Sequence, residues 1–419
     1  MRTVEEANRR AIERVLAGEP WLVGVKPAGE VVPGLDRNLI LHAAPPVVWD
    51  EMCELLQGGL VGAMLYEGLA GSADEAEEKA RAGEIRFGAA QDHAAMAGGV
   101  GSITASLPVI VLEDRASGGR SFHFLMEGFG KTLILGMFDD EVRERLVWFR
   151  DELGPALDAA IGAVGGIDVR ALVAEALCRG DELHNRNAAA TSMLAERLAP
   201  GFGRAGVDAG LQERAFALML ENSQFFVPIS LAASQLALEA AGGTEGSSLL
   251  TACGANGRDC GIKVAGLPGR WFTAPAEVPD GVFFPGFGPD DAGPGCGDSL
   301  LVECAGLGAS VLSAAPALWP LLGADEARAR RIFEETGEIA LGEHPHYRVP
   351  ALGGRGAPTG IDVLKVVETG IRPVIDIVMV SPERGRGAVG FGLTSPPMAC
   401  FEQAVEAFRE RYGTSAPPK

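Results

Sequence analysis

The period of the apolar residues changes twice along this chain, and that change limits the fold more than any single motif. Between residues 141 and 243 the spacing is helical. Val142 to Val164, Val169 to Arg179 and Gln212 to Ala241 place apolar residues three and four apart, and Gly242-Gly243 closes the last run. On either side the apolar runs are shorter, and several extended ones lie between Gly, Pro and Asn. The pattern predicts an α/β (mixed α+β) multi-domain protein: an N-terminal α/β domain over 1–140, a helical domain over 141–243 and a C-terminal α/β domain over 244–419. At 419 residues, 47% of them apolar, the chain can supply a large core.

The net charge is −20, which argues against a nucleic-acid partner, since that would call for basic patches. Seven cysteines are scattered without CxxC spacing, as expected in a reducing compartment. The start, Met1 to Glu6, lacks the apolar core of a signal peptide, and no apolar run approaches the roughly 18 residues of a membrane span. A cytoplasmic protein with no membrane partner is expected.

Before the helical stretch, residues 4–17, 48–58 and 73–82 read as helices. Residues 21–25, 38–43, 61–66, 107–113 and 121–126 read as strands. Glu127-Gly128-Phe129-Gly130-Lys131-Thr132 is no phosphate loop. Leu125 stands where the first glycine is needed, and Leu133-Ile134-Leu135 reads as a strand rather than a helix, so a hairpin turn is expected. After residue 243, Asn256-Gly257 predicts a hairpin, Asp298 an N-cap, and Thr359 with Asp362 a capping box before a helix at 361–368. The tail Gly413 to Lys419 is expected to fray.

The richest polar run is Asp181-Glu182-Leu183-His184-Asn185-Arg186-Asn187, leading to Thr191-Ser192. Read as a helix start, it puts Asp181, His184, Asn185 and Ser192 on one face, pairs Glu182 with Arg186, and turns Asn187 toward the core. His184, Asn185 and Arg186 are the candidate catalytic residues, with Glu182 and Asn187 beside them. Arg186 would hold a carboxylate or phosphate oxygen, Asn185 a carbonyl, and His184 would move a proton. Glu221-Asn222 precede a helix break at Pro228 and could face this helix. Arg355 sits among glycines ahead of a helix and, like Arg270, could bind an anion. His93, before the glycines at 98, 99 and 101, is the second histidine of interest. No His, Cys or carboxylate set has metal spacing, so no metal and no cofactor are expected. The composition points to a metal-independent enzyme or binding protein for small anions.

Several motifs carry a resemblance. Asp181 to Ala189, Gly269-Arg270-Trp271-Phe272-Thr273-Ala274-Pro275, Pro358-Thr359-Gly360-Ile361-Asp362, Glu127-Gly128-Phe129-Gly130-Lys131 and Ser395 to Glu402 resemble, in order, a bacterial family associated with the AllG-like subunit of oxamate carbamoyltransferase. The family's loop after its histidine reads Gly-Ala-Val-Gly-Pro-Met, whereas His93 is followed by Ala94-Ala95-Met96-Ala97-Gly98. The resemblance implies a mixed α/β fold with a helical middle. It also implies purine (allantoin) catabolism: oxalurate and phosphate giving oxamate and carbamoyl phosphate. The implied partners are a small anionic ureido or amide substrate, phosphate, the other subunits of a multi-subunit complex, and a second copy of the chain. The usual transcarbamoylase phosphate motif, Ser-x-Arg-Thr, is absent. The alternative is a non-catalytic scaffold or anion-binding subunit in which the polar run is only structural.

Overall fold

The computed structural model describes residues 3–413; of the predicted tail only Gly413 lies within them. The chain is mixed α/β. A five-stranded sheet has the order Ala95–Met96, Arg120–Phe124, Pro108–Asp114, Pro20–Pro27, Ile167–Asp168. A four-stranded sheet runs Phe272–Pro275, Asp259–Val264, Leu250–Asn256, Cys296–Gly297. A third sheet joins Asp280–Phe283, Ala388–Thr394 and Ile375–Val380. Pairing is mainly antiparallel; Leu39–His42 with Arg86–Ala89 is parallel.

Between 141 and 243 lie long helices and a single two-residue strand, Ile167–Asp168. Helix Val227–Glu239 is apolar on nearly every side, and a helix of that kind must be enclosed. It packs against Pro108–Asp114 and Arg120–Phe124 on one side and Leu250–Asn256 and Asp298–Ala305 on the other. One core cluster runs from Ala11 through this helix to Phe408. Pro228 opens the helix, after a break at 222–226, as expected.

Four local readings change. Residues 61–66 belong to helix Glu54–Glu67, not to a strand. Short apolar runs do not reveal their period, and Gly59 and Gly62 let this one pack tightly. A Cβ at Gly62 would lie 2.7 Å from that of Phe138. Leu133–Leu135 is a 3-10 turn rather than a strand, because the Glu127 carboxylate accepts the Leu133 N–H at 2.8 Å and folds the chain back. Thr359 lies in strand Arg355–Ile361, and its hydroxyl donates to the Ala357 carbonyl. Asp362 alone caps helix Val363–Thr369.

Asp298 is no cap either. Its buried carboxylate accepts from the Ala44 N–H (2.7 Å), the Gln91 amide (2.6 Å) and the Ala97 N–H (2.9 Å). It ties the N-terminal segment to the C-terminal one. Asp298→Ala leaves three buried donors unpaired and should cost about 3 kcal/mol or more. A denaturation midpoint within error of wild type would refute that role.

Candidate active site

The polar run 181–187 is a loop, and the helix begins only at Ala188, ending at Arg204. The reason is Glu182. Its carboxylate accepts the backbone N–H groups of His184 (2.6 Å), Asn185 (2.5 Å) and Arg186 (2.7 Å). A side chain that satisfies these donors competes with helix formation. Leu183 takes up the turn at φ 72°, in the left-handed region that costs a branched residue energy. The expected Glu182–Arg186 pair is therefore backbone to side chain. The Arg186 guanidinium donates to the Gly180 carbonyl at 2.9 Å and lies 3.6 Å from Asp181. Asp181 in turn accepts the Ala190 N–H in the first turn of the helix.

The loop pushes His184 into the core. Its Nδ1 lies 2.8 Å from a Glu303 carboxylate oxygen and 3.0 Å from an Asp376 oxygen. Glu303 comes from the 3-10 helix Asp298–Ala305 and Asp376 from strand Ile375–Val380. Burial pushes His184 toward the neutral form, but the two carboxylates outweigh it and hold the pKa well above 6.5. Burial drives Glu303 up to about 8, and it raises Glu182 as well, with the charge of Asp376 adding to it. Burial works to raise Asp376, but the charge of His184 outweighs it and holds the pKa low. The acids thus favour the charged imidazole and engage its Nδ1.

Beside this cluster is a cavity of about 70 Å³, lined among others by His184, Asn185, Gln224, Ser299, Gly98, Gly99, Gly128 and Phe129. The Asn185 amide nitrogen is buried and has no hydrogen-bond partner. A Cβ at Gly99 would come within 2.6 Å of the Ile134 carbonyl, so the wall there is backbone. Two smaller cavities lie elsewhere, and His184 lines neither.

Of the residues singled out from sequence, His184 and Asn185 line the cavity, and Glu182 and Asn187 brace it. The Asn187 amide donates to the His184 carbonyl at 2.8 Å. Asn222 is buried nearby and donates to the Met126 carbonyl at 3.0 Å, while Glu221 is exposed. The others lie elsewhere. Arg355 pairs with Glu334 at 2.7 Å and Glu343 at 3.3 Å, Arg270 is exposed over the Phe272 ring, and His93 bonds the Pro33 carbonyl. Thr359 is buried in its strand away from the lining. Glu303, Asp376, Gln224 and Ser299 were not singled out. A signal existed for two of them. Glu303 and Asp376 are lone acids in small or apolar runs, and such residues are buried only when paired.

Asp298 and Glu127, both outside the cluster, are each pushed up to about 7 by burial. A carboxyl with a folded pKa above its unfolded one favours the fold when protonated. That contribution is full below about pH 4 and lost as pH rises through 7. The melting temperature should therefore be higher at pH 5.5 than at pH 8.5. Calorimetry showing a flat or reversed profile over that window would contradict it.

The sequence relatives of this chain define a family of carbamoyltransferase subunits. A profile of the family described as oxamate carbamoyltransferase subunit AllG matches residues 85–299, and the chain belongs to that family. It is 37% identical over 415 residues to the Escherichia coli oxamate carbamoyltransferase subunit AllG, covering 98% of this chain and 99% of that protein. It is 38% identical over 410 residues to YahG of the same organism, described as uncharacterized, covering 98% of this chain and 87% of that protein. A crystal structure of a conserved protein of unknown function from Enterococcus faecalis is 36% identical and superposes with a TM-score of 0.95 over 97% of this chain and 98% of that one. Among the described residues no helix is long and apolar enough to cross a membrane.

Proposed function

We propose that this chain is a subunit of a cytoplasmic carbamoyltransferase and that the cavity above His184 receives its ureido substrate. The reaction that the resemblance implies is carbamoyl transfer: an oxygen of hydrogen phosphate attacks the carbamoyl carbon of oxalurate, the C–N bond breaks, and the proton that the phosphate loses ends on the nitrogen of the leaving oxamate. The observation that carries the reading is an acid-clamped His184 at a cavity in a chain aligned end to end with AllG. His184 holds its proton, so its free Nε2–H serves as a donor to the carbamoyl oxygen, where negative charge develops. Asn185 and Gln224 would orient the amide groups. YahG is just as similar, so the substrate class is a small ureido or amide anion, with oxalurate the first to test.

Among the described lining residues there is no Arg or Lys. Phosphate and oxalurate both carry negative charge, and a cation brought by another subunit would balance them. Phe129, half exposed at the cavity and edge-on to Phe391, suits such a contact. Phosphate-dependent cleavage of oxalurate, followed by carbamoyl phosphate release, tests both points. The isolated chain should be at least about a hundredfold slower than the complex with its partner subunits. Full activity of the chain alone would refute the missing-cation argument, and no activity on any ureido anion in the complex would refute the function.

We also propose that residues 141–243 form one cooperative unit. Hydrogen exchange with equal protection on both sides of residues 140 and 243 would speak against it.

A further inference from the structure

We infer that His184, Glu303 and Asp376 form a binding site for one divalent cation of the Mn²⁺ class, placed beneath the cavity floor. The expectation drawn from sequence was no metal. It rested on spacing along the chain, and these ligands are 119 and 73 positions apart, which no spacing rule detects.

Convergence is the first argument. The His184 Nδ1 and one oxygen from each acid lie within 4.8 Å of one another, all fully enclosed. Nδ1 carries at most one hydrogen, yet acid oxygens approach it at 2.8 and 3.0 Å. One proton cannot serve both with good geometry. The second argument is the accounting of lone pairs. The Asp376 Oδ2 and the second Glu303 oxygen are buried without a hydrogen-bond partner, and the Asp376 Oδ1 has only the Nδ1 it shares with Glu303. Buried acceptors without donors are rare and costly, and carboxylates especially so. The third is charge. Glu182, Glu303 and Asp376 bring three carboxyls against one imidazole, and the nearest guanidinium, that of Arg186, lies on Asp181. A dication supplies what protons otherwise must.

The geometry favours the ion type. Six-coordinate bonds of about 2.1 Å set neighbouring donors roughly 3.0 Å apart, near the 2.8 and 3.0 Å between Nδ1 and the two acid oxygens, whereas a tetrahedral zinc site spreads them to roughly 3.4 Å. An imidazole with two carboxylates suits Mn²⁺ better than Mg²⁺. Neither Glu303 nor Asp376 lines the cavity. The ion would therefore hold the imidazole from behind, with Nε2 still a donor toward substrate. Its role is to position His184.

The test needs no substrate, so its outcome is independent of the carbamoyl reading. Full-length protein is stripped with EDTA and titrated with MnCl₂ while free Mn²⁺ is followed by electron paramagnetic resonance. One equivalent per chain should bind, with ¹⁴N modulation from the imidazole and a rise in melting temperature. Glu303→Gln and Asp376→Asn should each weaken binding at least about tenfold. Folding of each variant is checked by circular dichroism. If a variant does not fold, the ¹⁴N signal of the wild type decides. Wild-type protein that leaves all Mn²⁺ free at millimolar concentration, binds it without ¹⁴N modulation, or shares its affinity with a folded variant would overturn the site.

Discussion

Glu182→Ala should destabilise the protein by about 3–5 kcal/mol, the largest single loss expected in the chain. The carboxylate accepts three consecutive backbone N–H groups inside the core, and alanine leaves all three without a partner or water. Leu183 would no longer be held in its left-handed conformation. The loop would then relax toward the helix that its sequence resembles, and His184 would leave Glu303 and Asp376. Glu182→Gln keeps one acceptor oxygen and should lose less. Urea denaturation of the two variants separates them. Equal, small losses for both would mean that Asp181 and Asn187 hold the loop without Glu182.

That single side chain also explains why the reading of this run as a helix failed. Periodicity reports what a segment does when its own backbone is its partner. Here Glu182 replaces that partner, so the faces drawn for a helix at 181–192 do not exist. His184 and Asn185 were legible because polar groups so dense between apolar runs must be satisfied somewhere. The helical middle, the hairpin at Asn256-Gly257 and the break before Pro228 were legible because each depends on neighbours in sequence. Glu303 and Asp376 were not, since their meaning lies in a contact with His184 that only the fold creates. Arg355 shows the opposite error. A glycine-flanked arginine suggests an anion site, but its strand carries it to Glu334 and Glu343, ordinary surface partners.

His184→Ala should lower kcat of the assembled complex by about 10²–10³-fold, the size of loss expected when a donor to a developing negative charge is removed. Removing the imidazole leaves Glu303 and Asp376 without their buried counter-charge, so the fold of the variant is checked by circular dichroism before its kinetics are read. Asn185→Ala, which removes an amide with no other partner, should act on KM instead. Arg186→Ala separates two roles of that residue. If it steadies the loop through Asp181 and the Gly180 carbonyl, the loss appears in the denaturation midpoint; if it holds substrate, KM rises. EDTA-stripped wild type, assayed alongside, shows how much of the His184 effect belongs to the ion. A folded His184→Ala complex that turns over at the wild-type rate would leave only the scaffold reading, with the chemistry on another subunit. The cluster would then serve the architecture alone, holding the third sheet against the loop before helix Ala188–Arg204 through Asp376 and Glu303.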